Sequence, residues 1–192
     1  MISGISLSVL LGVVVIAFFF MDFFFMIRYD RERELGKGWA WDYTLLVGGL
    51  GLVVVLQPAF FPIIGFFTQK SWGLMVQVFG FVLVILSFVI HIWARLHLQK
   101  FYAERVEIQS DHKLINTGPY KWMRHPLVTS FFLLGTGVFF LSPALTTLVA
   151  MLYVYWDFSR AAKAEDELLG KNLPGYLDYM ERVPRFLPRW KK

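Results

Sequence analysis

Residues 111–126 (DHKLINTGPYKWMRHP) gather most of the side chains in this protein that could do chemistry. They include two of its four histidines, His112 and His125, the cations Lys113, Lys121 and Arg124, and the rings of Tyr120 and Trp122 around an Asn-Thr-Gly-Pro turn. A second group follows at 160–167, where Arg160 and Lys163 precede Glu165, Asp166 and Glu167. The two groups suit a cationic ligand with a ribose, an adenine and an amino-acid end. Backbone groups of an irregular segment such as 114–118 can bond an adenine edge, and Tyr120 and Trp122 offer ring faces to an adenine or a sulfonium. A carboxylate at Glu165 or Glu167 can take ribose hydroxyls or an ammonium, and a basic residue can hold a carboxylate. From the residues alone, a basic loop binding anionic lipid accounts for the pattern equally well.

Other chemistries lack their residues. There is no cysteine, so thiolate nucleophiles and thiolate metal sites are excluded. The histidines at 91, 97, 112 and 125 form no His-x-x-x-His pair, so no metal is expected. No Gly-x-Ser-x-Gly elbow, dinucleotide glycine fingerprint or phosphate-binding loop occurs.

The elements that must position these groups are apolar. The chain has 192 residues, 57% hydrophobic, 20 of them Phe, with only 17% charged. That apolar content is blocked into runs, which predicts an all-α integral membrane protein of one domain with five transmembrane helices. The predicted spans are 5–27, 43–61, 72–98, 127–141 and 143–160, the last two a tight helical hairpin joined by Ser142 and Pro143. At about 1.5 Å per residue the first span alone crosses ~30 Å of hydrocarbon, and it reads as a retained span, not a cleaved leader. Asp22 is expected near its interface end. Gly48, Gly49 and Gly51 on the second span, and Gly135 and Gly137 on the fourth, predict close helix packing. His91, Arg95 and His97 read as a helix emerging into headgroups with snorkelling cations.

The net charge of +5 lies in loops beside apolar runs, which points to topology and lipid, not to nucleic acid. The loops at 28–42 and 99–126 are both basic, so both are expected on the cytoplasmic side, with the N-terminus outside and the C-terminal tail, 160–192, inside. The segment 99–126 and that tail would then form a cytoplasmic pocket. Tyr176 and Tyr179 read as packing of the tail, and Arg185 as a headgroup contact.

The order Gly118-Pro119-Tyr120, Arg124-His125-Pro126, an apolar hairpin, an acidic helix, Tyr176 and Tyr179, then 182–188 (RVPRFLP), resembles the isoprenylcysteine carboxyl methyltransferase family over about residues 105–188. The resemblance implies S-adenosylmethionine as cofactor, with S-adenosylhomocysteine as product. It places cofactor contacts at His112, Lys113, Leu114, Ile115, Tyr120, His125, Pro126, Leu127 and Val128, and at an acid of the last helix, with Arg105 contributing. It implies Arg160 as the cation that orients a substrate carboxylate. The family's acid pair and Phe-Gly are replaced here by Glu165-Asp166-Glu167 and Leu173-Pro174-Gly175. Spacing from Arg160 selects Ala164, which leaves Glu165 and Glu167 as rivals, with Glu167 preferred because it shares a helix face with Lys163. The implied acceptor is the carboxyl of a prenylated cysteine or another lipophilic substrate, and the implied partners are that substrate and membrane lipid. The alternatives are N-methylation of a lipid amine, an NADPH-dependent reductase of the sterol-reductase type, and a non-catalytic scaffold.

Overall fold

The computed structural model describes residues 2–29, 41–61, 72–99 and 114–187, and every element among them is helical. The order is α1 (Gly4–Tyr29), α2 (Trp41–Phe60), α3 (Trp72–Leu98), a 3₁₀ turn (Gly118–Lys121), α4 (Pro126–Leu141), α5 (Leu145–Asn172) and α6 (Tyr176–Arg182). Among the described residues two stretches, Gly4–Tyr29 and Gly73–Leu98, are long and apolar enough to cross a membrane; Gly48–Phe60 and Pro126–Leu141 are shorter apolar helices. The residues fall into two compact units: Met1–Val84 with Leu134–Tyr153, and Ile85–Leu133 with Val154–Lys192. The predicted contact residues Arg105, His112 and Lys113 lie outside the described residues.

In the first unit, α1 buries Leu7, Leu11, Val14, Phe18 and Phe25 along one stripe, while Phe19, Phe20, Phe23 and Phe24 are exposed. A helix apolar on both its packed and its open faces is at home in hydrocarbon. The buried side chains Gln57, Gln77, Ser142 and Thr147 of this unit are neutral and are satisfied near helix ends. Gln57 Nε2 donates to Phe61 O at 3.0 Å, and Ser142 Oγ donates to Gln57 Oε1 at 3.1 Å. Gln77 Nε2 donates to Leu141 O and Ile2 O, and Ser8 Oγ accepts from Ala59 N just past Pro58. Thr147 Oγ1 ties the first turn of α5 to Ser142 O at 2.6 Å.

The expected close packing of glycines is found at one of the two places. A Cβ on Gly137 would stand 2.8 Å from Gly80 O, and one on Gly80 would stand 2.7 Å from Gly137 O, so α3 and α4 touch backbone to backbone there. A Cβ on Gly48, Gly49 or Gly51 would meet nothing within 4 Å, so the smooth face predicted for α2 packs against nothing among the described residues.

In the second unit, α3 turns Ser87, His91, Ala94 and Arg95 inward, all at 1% exposure or less. This corrects the expectation of cations snorkelling into headgroups: Arg95 and His91 lie on the face that the unit covers. Ser130 Oγ donates to Leu127 O at 2.6 Å and so accepts from His91 Nδ1 at 3.0 Å. Phe132 stacks on Tyr155 and Phe131 on Phe158, holding this end of α4 against α5. α5 runs well past its apolar part, because 161–169 (AAKAEDELL) is rich in strong helix formers. It stops at Asn172, and Pro174 and Gly175 turn the chain into α6, with Tyr176 N bonding back to Leu173 O.

Candidate active site

The irregular segment before α4 is shaped by Gly118. Its φ of +56° is a left-handed value, and an added Cβ would run into the His97 ring at 2.4 Å, so both backbone and space demand glycine. Pro119 opens the 3₁₀ turn, and Tyr120 N closes it onto Thr117 O at 3.1 Å. Tyr120 is buried, and its carbonyl accepts from Tyr179 Oη at 2.5 Å. Leu114 packs on the cluster of Leu169, Leu173, Tyr176 and Tyr179. Leu114, Ile115 and Asn116 make no backbone hydrogen bond among the described residues, which leaves a run of donors and acceptors open.

The segment then meets α5 at a buried carboxylate, Asp166, which is 1% exposed. Its Oδ1 accepts from Tyr176 Oη at 2.7 Å, His125 Nε2 at 2.8 Å and Arg124 Nε at 3.3 Å. Its Oδ2 accepts from Arg185 Nε at 2.8 Å and Arg124 Nη2 at 2.9 Å. Arg124 Nη1 also caps the end of α6, donating to Met180 O and Val183 O. Residues 183–187 lie along the start of α4: Arg124 N donates to Pro184 O, His125 N to Arg185 O, and Thr129 Oγ1 to Phe186 O.

His125 Nδ1 stands 3.4 Å from Glu165 Oε2, so the ring has a carboxylate at each nitrogen and satisfies both only as an imidazolium. Burial pulls it toward the neutral form, but Asp166 and Glu165 together outweigh burial and raise its pKa above the ordinary 6.5. For Asp166, burial opposes the charge, and the bonds from His125, Arg124 and Tyr176 overcome it, so its pKa falls well below 3.8. Burial, reinforced by Asp166, pushes the Tyr176 hydroxyl up, and burial does the same to Tyr179.

The residues expected from sequence separate into two sets. Leu114, Tyr120, His125 and Glu165 make contacts in this cluster, while Ile115, Pro126, Leu127 and Val128 adjoin them along the chain; Tyr120, His125 and Pro126 are buried. Arg160, Lys163 and Glu167 lie on the exposed face of α5. There Arg160 sits 4.8 Å over the Trp156 ring and 3.9 Å from Asp157, and Lys163 is 3.9 Å from Glu167. Tyr176 and Tyr179 do pack the tail, and each also places its hydroxyl in a specific bond. Arg185, expected at headgroups, points to Asp166 instead. Asp166, the middle acid of the Glu165-Asp166-Glu167 run, is not among the contacts expected from sequence. Its signal was the spacing of Ala162, Asp166, Leu169 and Leu173, which marks the buried stripe of α5. A surface cavity of about 250 Å³ adjoins the cluster, lined by Asn116, Lys121, Tyr179, Arg182 and Val183; another of about 340 Å³ lies at the α5–α6 turn. Among the described residues no group of three or more His, Asp or Glu could hold a metal.

Residues 79–171 match the isoprenylcysteine carboxyl methyltransferase (ICMT) family model. The match spans just under half of the chain. The ICMT match covers α3 from Phe79 through α4 and nearly all of α5, including Arg124, His125 and all three acids. The protein-S-isoprenylcysteine O-methyltransferase of Saccharomyces cerevisiae is 25% identical over 185 residues, 89% of this chain and 75% of that protein. The nickel-cobalt-cadmium resistance protein NccN of Alcaligenes xylosoxydans xylosoxydans is 35% identical over 79 residues, 40% of this chain and only 37% of the relative. The solved structure of a eukaryotic intramembrane Ras methyltransferase, ICMT, shares the fold with a TM-score of 0.73 at 22% identity, over 96% of this chain and 67% of that one.

Proposed function

We propose that the protein is an integral membrane methyltransferase that moves a methyl group from S-adenosylmethionine to the carboxylate of a lipophilic acceptor, the C-terminal carboxyl of a prenylated cysteine being the favoured one. The observation that carries this is the contact of Arg124 and His125 with the adjacent acids Glu165 and Asp166, inside the segment that matches the ICMT family. The donor set fits the cofactor. The open backbone of 114–116 suits an adenine edge, and half-buried Glu165 suits ribose hydroxyls or an ammonium. Bound there, S-adenosylmethionine would supply a methyl on a sulfonium, an electrophile needing no metal.

The protein's own groups then have little proton chemistry to do. An α-carboxyl acceptor, with a reference pKa of about 3.5, is already ionised near neutral pH, so no general base is required. His125 is suited to this, because an imidazolium held by two carboxylates cannot accept a proton. What remains is orientation and exclusion of water, which are worth several orders of magnitude in rate. Arg160, exposed on α5, is assigned to the acceptor carboxylate. Glu165 is assigned to the cofactor in preference to Glu167, since Glu165 touches the buried cluster while Glu167 faces outward with Lys163. In the same reading five helices cross the bilayer, the last two as a hairpin. The basic loops put the site and the tail on the cytoplasmic side, and the oily acceptor enters from lipid.

Calorimetry of the detergent-purified protein with S-adenosylmethionine tests the cofactor, and transfer of labelled methyl to a farnesylcysteine analogue or to a lipid amine tests the acceptor. Binding with label on the carboxyl is expected. Absence of binding, or NADPH binding in its place, would overturn the reading.

A further inference from the structure

We propose that Asp166 is a positioning residue that makes the tail part of the site: one carboxylate clamps residues 183–187 across the start of α4 and fixes the ring of His125. The inference deepens the methyl-transfer reading and rests on it for the role of the site.

A carboxylate offers about four lone-pair directions. Asp166 fills them with five donor contacts from Arg124, His125, Tyr176 and Arg185. Nothing is left to accept from a ligand, so Asp166 acts through its neighbours. Glu165, one residue earlier, is the opposite case: one contact at 3.4 Å and a side chain 47% exposed. Adjacent acids on one helix thus divide the work, one saturated and inward, one half-exposed at the edge of the cluster.

The clamp closes on three parts of the chain. Arg124 bridges Asp166 to the last turn of α6, Arg185 brings in the tail, and Tyr176 fixes the start of α6. The tail backbone is then held by the amides of Arg124 and His125. Phe186 closes over the His125 ring, with centroids 6.2 Å apart. Val183 lines the cavity beside Asn116 and Tyr179, so releasing the tail opens the rim of the space available to a ligand.

The groups facing His125 are Glu165 and Asp166 of α5, Arg124 beside it, Tyr176 of α6 and Arg185 of the tail. Removing the Asp166 charge leaves Glu165 as the sole anion against two arginines. The ring should then lose its proton about one pH unit earlier, the low end for loss of a close opposite charge.

The test uses the intact protein in detergent, with S-adenosylmethionine as the probe. Arg185→Gln removes one contact from a partly exposed side chain and spares the rest of the cluster. It should speed hydrogen exchange at the amides of Arg124 and His125 at least tenfold and weaken S-adenosylmethionine binding about tenfold. Asp166→Asn should do both and also move the alkaline limb of binding to lower pH by about one unit, a shift that loss of packing alone does not produce. If Asp166→Asn does not fold, Arg185→Gln decides. Unchanged exchange in Arg185→Gln overturns the clamp, and faster exchange with unchanged affinity overturns the tail's place in the site. An alkaline limb unmoved in folded Asp166→Asn overturns the link to His125. If the unaltered protein binds no S-adenosylmethionine, the methyl-transfer reading fails, while the exchange data still judge the clamp.

Discussion

Both units bury polar side chains, and they do so in opposite ways. In the first, Gln57, Gln77, Ser142 and Thr147 are neutral, and nearly all their bonds go to backbone groups at helix ends. In the second, Asp166, Arg124 and His125 are charged and bond largely to one another. Neutral bonds of the first kind each contribute about 1 kcal/mol and do not respond to pH. Buried ions stabilise only while every partner is present, and they respond to any change of charge. The contrast separates a region held by neutral bonds at helix ends from one whose geometry depends on charge.

The contrast breaks most sharply at Asp166. Asp166→Ala strands buried Arg124 and His125, and should cost about 3–5 kcal/mol in denaturant unfolding together with loss of S-adenosylmethionine binding. Next is the helix crossing of the first unit, where Gly137→Val forces a side chain onto the backbone at Gly80. A loss of about 1–3 kcal/mol is expected, with cofactor affinity at saturation of the folded protein unchanged.

Titration sharpens the comparison further. The His125 pKa is raised, so its contribution is complete below 6.5 and is lost as pH rises through the folded value. The Asp166 pKa is lowered, so its contribution is complete above 3.8 and is lost as pH falls through the folded value. Hydrogen exchange across pH should therefore loosen the second unit at both ends, with the amides around Gln57 and Gln77 unaffected. Gln57→Leu removes the acceptor of Ser142 Oγ and should cost about 1 kcal/mol at every pH. The smallest effect belongs to Glu167→Gln, about 0.3–0.5 kcal/mol for an exposed i,i+4 pair. Glu165→Gln should weaken S-adenosylmethionine binding more than Glu167→Gln does.

The sequence was most legible where its pattern is long. Apolar runs of more than twenty residues mark α1 and α3, and the order of turn, His-Pro, acidic helix and tail carried the family resemblance. It was least legible where one residue's identity depends on which way a helix faces. Counting from Arg160, and pairing Lys163 with Glu167, led to the exposed side of α5. The buried stripe of Ala162, Leu169 and Leu173 leads to Asp166 instead. Gly80 offered no pattern at all, because its meaning comes from Gly137, far along the chain. The cluster of Gly48, Gly49 and Gly51 looked informative and packs on nothing among the described residues.

The pairing of Arg124 Nη1 with Val183 O joins groups 59 positions apart. During synthesis, Arg124 therefore emerges long before the tail segment that completes its bonds. A nascent polypeptide stalled anywhere in that interval would carry a guanidinium and two amides awaiting carbonyls not yet made. Assembly of this buried cluster is thus a late event, completed only after α6 has been made.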